Sequence, residues 1–166
     1  MKILLSVLLV SFATGTLFAK NCTTPEVKGV CPDKLIVEKA EWACKLIEEK
    51  GWDALPAIKT ERFDCCDMPN YIWVNEFKDK EVKMILHPTS PVLNNKDVTD
   101  IKDPDGRFII QSFIKALKEK PEGAWSEYKW TKMGDTRATN KKSYVKKCKV
   151  KGQDYYWVTA SGTWTE

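Results

Sequence analysis

Six cysteines in a chain that carries an export signal constrain this sequence more than any other feature. They are Cys22, Cys31, Cys44, Cys65, Cys66 and Cys148. Export is read from the N-terminus. Lys2 supplies a positive start, Ile3 to Val10 is apolar apart from Ser6, and Leu17-Phe18-Ala19 closes a stretch of small and polar residues. That order is a secretory signal peptide over residues 1–19, with cleavage after Ala19. A retained membrane anchor is the rival reading, but the apolar run is shorter than the ~20 residues a spanning helix needs. Nothing later in the chain is apolar enough to span a membrane, so no span remains after signal removal. An even number of cysteines in an exported chain predicts disulfides. Cys22 with Cys31 is the simplest local pairing, since it would staple the segment before the first helix. Adjacent Cys65 and Cys66 are expected to reach two different partners, with Cys44 and Cys148 available. The alternatives to structural staples are a copper(I) site on Cys65, Cys66 and Met68, and a redox thiol, for which no Cys-x-x-Cys spacing exists.

Residues 20–166 suffice for one domain with one core and are too few for two. The formal net charge is +4 and falls by one when Lys2 leaves. The positive charge is nearly all lysine; Arg62, Arg107 and Arg137 are the only arginines. Readers of nucleic acid rely on arginine forks, so the lysine excess reads as a solvated surface and no nucleic-acid partner is expected. Seven tryptophans are many for this length. Each brings a large apolar face and one N–H donor, which suits a pocket wall as well as a core.

Periodicity then gives the order of elements. Leu35, Ile36, Ala43, Leu46 and Ile47 fall on one face of a helix over 33–50, which Gly51 ends. Residues 53–58 form a short helical turn. Tyr71 to Phe77 alternates as a strand, Lys78-Asp79-Lys80 turns, and Val82 to Leu86 returns. His87 to Asp105 is a long polar connection, of a length that inside a compact domain is usually functional. A second helix over 107–118 carries a wide apolar stripe, with Asp105 as its N-cap. Strand-like runs follow over 124–132, 141–150 and 154–163. The expected class is α+β: a five-stranded antiparallel sheet with the long N-terminal helix on one face and the helix-containing connection over the other, roofing a cavity.

Six short stretches in this order resemble the single-Cache family, a PAS-like fold used as the extracytoplasmic sensor of bacterial chemoreceptors and histidine kinases. They are Tyr71-Ile72-Trp73-Val74-Asn75, Leu86-His87-Pro88, Asp103-Pro104-Asp105-Gly106-Arg107, Tyr128-Lys129-Trp130, Lys142-Ser143-Tyr144-Val145 and Ser161-Gly162. The resemblance extends over roughly residues 34–164. The resemblance implies a pocket for small ligands such as short carboxylates, no catalysis, no cofactor, and a membrane receptor or histidine kinase as the protein that reads the bound state. The sequence ends at Glu166, directly after the last strand, so a stand-alone periplasmic or secreted module is expected rather than direct transmembrane signalling.

Six residues are candidates for the ligand site. His87 is the only histidine, placed where the second strand meets the long connection; with no adjacent partner it offers neither a catalytic base nor a metal site. Tyr128 and Trp130 share one face of a strand, as do Lys142 and Tyr144 on the next. With both pairs toward the cavity, Lys142 would hold a carboxylate, the phenols its oxygens and the rings its carbon chain. Trp73 would add to the wall or the core. A calcium loop on Asp97, Asp100, Asp103 and Asp105 fails, because Ile101 and Ser112 stand where acids are needed. Two other functions remain open: an interaction protein on this fold with a filled pocket, and a thiol-dependent redox or metal-binding protein.

Overall fold

The computed structural model describes residues 22–23 and 26–166; the signal peptide expected over 1–19 lies outside the described residues. The long helix α1 spans Asp33–Lys50. It starts after Pro32 and ends where the N–H of Gly51, at φ 61°, bonds the carbonyl of Ile47. Its buried stripe is Ile36, Ala40, Ala43, Cys44 and Ile47. The small side chains in mid-stripe let the helix lie close to the sheet, and Thr159 Oγ1 donates to the Ala40 carbonyl at 2.9 Å. A 3-10 turn over Gly51–Ala54 and a short helix α2, Leu55–Thr60, follow. A small hairpin, β1 (Phe63–Asp64) with β2 (Pro69–Asn70), carries Cys65 and Cys66 at its tip.

The main sheet is antiparallel and has five strands in the order β4-β3-β7-β6-β5. These are β3 (Ile72–Lys78), β4 (Glu81–Leu86), β5 (Ala124–Thr131), β6 (Ala138–Lys149) and β7 (Tyr156–Trp164). Helix α3, Ile109–Glu119, lies over the face opposite α1. Side chains alternate between the two faces. Ile72, Val74, Tyr144, Cys148 and Trp157 pack toward α1, and Trp73, Val145, Val158, Ala160 and Trp164 pack toward α3. Both outer edges of the sheet are occupied. The segment 95–98 bonds along β4 through Met84 and Val82, and the Asp103 carboxylate and Arg107 guanidinium bond the outer backbone of β5 at Lys129 and Glu127.

The expected fold class holds, and three local expectations need correction. The disulfides are Cys22–Cys66, Cys31–Cys65 and Cys44–Cys148, not Cys22–Cys31. The described residues before α1 lie against the β1–β2 hairpin, with the Gly29 N–H on the Cys65 carbonyl at 2.8 Å. Its two cysteines therefore each meet one of the adjacent pair, which do take separate partners. The helix over 107–118 begins two residues late, and Asp105 does not cap it. No side chain caps α3, and Asp103 instead holds the loop before it. Its Oδ1 accepts from the N–H groups of Asp105 and Arg107, and its Oδ2 from that of Lys129. The β1–β2 hairpin was not expected, being too short to show an alternation.

Peptide mapping without reduction should return these three linkages. The paired change Cys44→Ala with Cys148→Ala removes the link that ties α1 to β6, and should lower stability by about 2–4 kcal/mol in denaturant unfolding.

Candidate functional site

The sheet face under α3 presents Tyr71 and Trp73 beside Tyr128, Trp130, Lys141, Ser143, Gly162 and Trp164. Register places Lys141 between Tyr128 on β5 and Trp164 on β7. The next row is small: Ser126, Ser143 and Gly162. A Cβ on Gly162 would stand 2.7 Å from Lys141 Cε and 2.1 Å from Ser143 Oγ. The glycine thus leaves the trough in which the lysine stem lies.

Lys141 is 2% exposed. Its Nζ bonds Tyr71 Oη at 3.3 Å and lies 4.4, 4.8 and 5.0 Å from the ring centres of Trp164, Tyr71 and Trp73. No carboxylate pairs with it among the described residues. Burial pulls its pKa down from 10.5 to about 7. The ring faces oppose that pull, because their quadrupoles favour a cation.

His87 closes the box. It follows β4, and its own N–H is held by Asn94 Oδ1 at 2.6 Å. Its Nδ1 accepts the Ser90 N–H at 3.0 Å, which places the proton of the neutral ring on Nε2. The ring lies 5.1 Å from Tyr71, 5.8 Å from Trp130 and 6.1 Å from Trp73 between centres. Burial first, and the Lys141 charge second, lower the His87 pKa to about 3. Burial also raises Tyr71 to about 12 and pushes Tyr128 up strongly, though its hydroxyl shares a 2.9 Å hydrogen bond with Ser143. Both phenols therefore stay protonated at neutral pH and can donate.

Ile101, Ile109, Ile110, Phe113 and Met84, with Tyr71, Trp73, His87, Tyr128 and Trp130, line a void of about 30 Å³; Lys141 sits against the Tyr71 and Trp73 rings at its edge rather than in its lining. Tyr71 and Trp130 also line a wider open cleft of about 380 Å³, between the connection and the β5–β6 turn. The inner void therefore adjoins the solvent cleft at these two side chains. The three bonds accepted by Asp103 hold the roof to β5 next to Trp130.

Of the residues expected at the site, Trp73, His87, Tyr128 and Trp130 come together here. Lys142 and Tyr144 do not. Both lie on the α1 face, with Lys142 Nζ 2.7 Å from Asp33 Oδ2 and over the Trp125 ring, and Tyr144 edge-on to Trp125. The pairing of Tyr128 with Lys141 fixes this: a shift of one residue along a strand exchanges its faces. The cation on the cavity face is Lys141. Tyr71, Lys141, Gly162 and Trp164 belong to this candidate site and were not among the residues expected from sequence. Cys148 carried the missing signal: once it pairs with Cys44 on α1, every even-numbered position of β6 near it faces the helix.

An antiparallel PAS-like sheet, helix-backed on one face and roofed over an aromatic pocket on the other, defines the class of small-ligand sensor domains. Within that class the chain belongs to the Cache domain family, whose model matches residues 45–166. It is 33% identical over 113 residues to the methyl-accepting chemotaxis protein McpP of Pseudomonas putida. That match takes in 68% of this chain and 19% of the relative's length. Among solved structures it resembles a periplasmic sensor domain of a chemotaxis protein, at 27% identity and TM-score 0.63, covering 80% of this chain and 96% of that one. A second, described as the structural basis for carboxylic acid recognition by a Cache chemosensory domain, is 26% identical with TM-score 0.65, covering 80% and 92%. No helix among the described residues is long and apolar enough to cross a membrane.

Because the Lys141 pKa is lower in the folded than in the unfolded chain, the unfolded chain binds more protons between pH 7 and 10.5. Stability should therefore rise with pH from about 7 toward 10, and the low-pH penalty should be constant below 7. Denaturant unfolding of Lys141→Met should lack this rise and show a more stable protein than the parent at pH 7.

Proposed function

We propose that this chain is the ligand-binding sensor module for a short monocarboxylate, held in the aromatic box by Lys141. The observation that carries the reading is a buried ammonium without a counter-charge. Isolated buried charge is costly, and an anion that enters the box removes the cost. The carboxylate would take charge-assisted bonds from Lys141 Nζ and neutral ones from Tyr71 Oη and His87 Nε2–H. Its carbon tail would lie against Trp73, Trp130 and the isoleucines of the roof.

Size and charge narrow the class. The void holds about two water-sized groups by the usual measure, which little more than a carboxylate fills, so only the smallest acids suit it and even their tails require the roof to give. One cation in an otherwise apolar lining favours a single carboxylate over a diacid. The related Cache structure described for carboxylic acid recognition supports this reading, as does the relationship to a chemotaxis protein. In that setting a membrane receptor or a histidine kinase reads the bound state, outside the cytoplasm. An interaction protein with a permanently filled pocket is the competing reading, and the small void is what favours it.

Calorimetry with acetate, propionate, succinate and ethylamine at pH 6.5 separates the two. Acetate or propionate should bind, and succinate and ethylamine should not. Lys141→Met should weaken the acid by about ten- to a hundredfold, while Lys142→Met should leave it unchanged. Binding recharges Lys141, so above pH 7 affinity should fall by up to about tenfold per pH unit, with proton uptake visible as a dependence of the heat on buffer ionisation. No binding by any short acid in the folded protein would favour the filled-pocket reading.

A further inference from the structure

We propose that the Lys141 amine captures a short aldehyde acid as a reversible imine, so that the ligands of this site include carbonyl compounds that carry a carboxylate. The proposal rests on Lys141 being the charged group of the site. Lysines that form imines are desolvated among apolar groups and lack a carboxylate to hold their proton. Lys141 meets both conditions. It is 2% exposed, three ring faces surround its nitrogen, and no carboxylate pairs with it among the described residues. That holds also at the β5 edge, where Lys141 borders a cleft with Asp103, Asp105 and Glu127 beside Arg107 and Lys129. The titratable groups within the box are Tyr71, His87 and Tyr128, each pushed by burial toward its neutral form. The roof adds only Ile101, Ile109, Ile110 and Phe113. Near pH 7 the amine is therefore unprotonated about half the time, against roughly one part in several thousand for a solvated lysine.

Tyr71 stands where the reaction needs a proton donor. Its hydroxyl bonds Lys141 Nζ at 3.3 Å and shares further hydrogen bonds with the side chains of Thr89 and Trp130. All three of these residues line the open cleft, so two hydroxyls in series connect solvent to the nitrogen. The amine lone pair adds to the aldehyde carbon, and the carbonyl π bond breaks toward oxygen. A proton passes from nitrogen to that oxygen. Tyr71 gives a second proton as the hydroxyl leaves as water, and the phenol recovers one from the cleft through Thr89. From the protonated lysine, one ammonium and one aldehyde give one iminium and one water, with no net proton and no electron transferred. The void fits this product. The aldehyde carbon joins a nitrogen at the edge of the void, so only the carboxylate has to enter it, and about 30 Å³ is little more than a carboxylate fills. The iminium charge then lies beside the carboxylate that balances it.

The experiment treats the parent protein with glyoxylate and cyanoborohydride at pH 7 and locates the reduced adduct by peptide fragmentation in a mass spectrometer. Lys142 is the internal control, since it lies outside the box on Asp33. Lys141 should be labelled at least about tenfold faster than Lys142, because far more of it is unprotonated. Benzaldehyde is too bulky for the box and should show no preference for Lys141. Acetate should slow the labelling of Lys141 by glyoxylate. Tyr71→Phe should slow it by about tenfold or more and leave Lys142 as it was.

Labelling of Lys141 no faster than that of Lys142 in the folded parent protein overturns the imine, and so does an equal preference for Lys141 with benzaldehyde. Unchanged labelling in folded Tyr71→Phe overturns the part given to the phenol. Both lysines are read in one unaltered protein, so the main result needs no variant to fold. Acetate binding by calorimetry without preferential labelling of Lys141 leaves the carboxylate reading standing and removes the imine. Preferential labelling that acetate does not slow upholds the imine and removes acetate as the ligand, so the two readings fail separately.

Discussion

The Lys141 ammonium lies where a charge is least welcome, in the apolar layer between sheet and roof, and its surroundings follow from accommodating it. Gly162 and Ser143 leave the space for its stem. Tyr71, Trp73 and Trp164 turn ring faces toward its nitrogen at 4.4–5.0 Å. His87 is kept neutral by burial and by the same charge. Aromatic faces offset part of the desolvation, of order 1–2 kcal/mol, and on the proposed reading an anion would relieve the rest.

Strand β6 serves both layers of the protein at once. Its odd-numbered residues Lys141, Ser143 and Val145 face the pocket and α3, and its even-numbered residues Lys142, Tyr144 and Cys148 face α1. The link from Cys44 to Cys148 therefore does more than stabilise. It fixes which parity of β6 faces which way, and with it which lysine of an adjacent pair becomes the buried one.

Legibility in the sequence followed the same lines. Helix α1 could be read to its last residue because its apolar stripe and Gly51 act locally. The alternation of β3, β5 and β6 was also visible, and it put Tyr128 with Trp130 and Lys142 with Tyr144 correctly as pairs. The side of the sheet that each pair occupies is a long-range property, set by pairing across the β5–β6 turn, and the period of two does not carry it. Tyr71 and Trp164 were missed for a related reason. Their importance comes from meeting Lys141 in space, from the start of β3 and the end of β7. Asp105 was expected to cap the helix, whereas Asp103 takes the bonds, two in its own loop and one to Lys129 on a distant strand that no local pattern reveals.

The occupied edges of the sheet have a consequence for how another protein can engage this domain. β4 is lined by the segment 95–98, and β5 is bonded at its centre by Asp103 and Arg107. A foreign strand would have to displace these bonds to extend along either side. Strand addition is thereby disfavoured, and side chains on the helical and loop surfaces are left as the readier means of recognition, where specificity is written in charge and shape rather than in the backbone common to all chains.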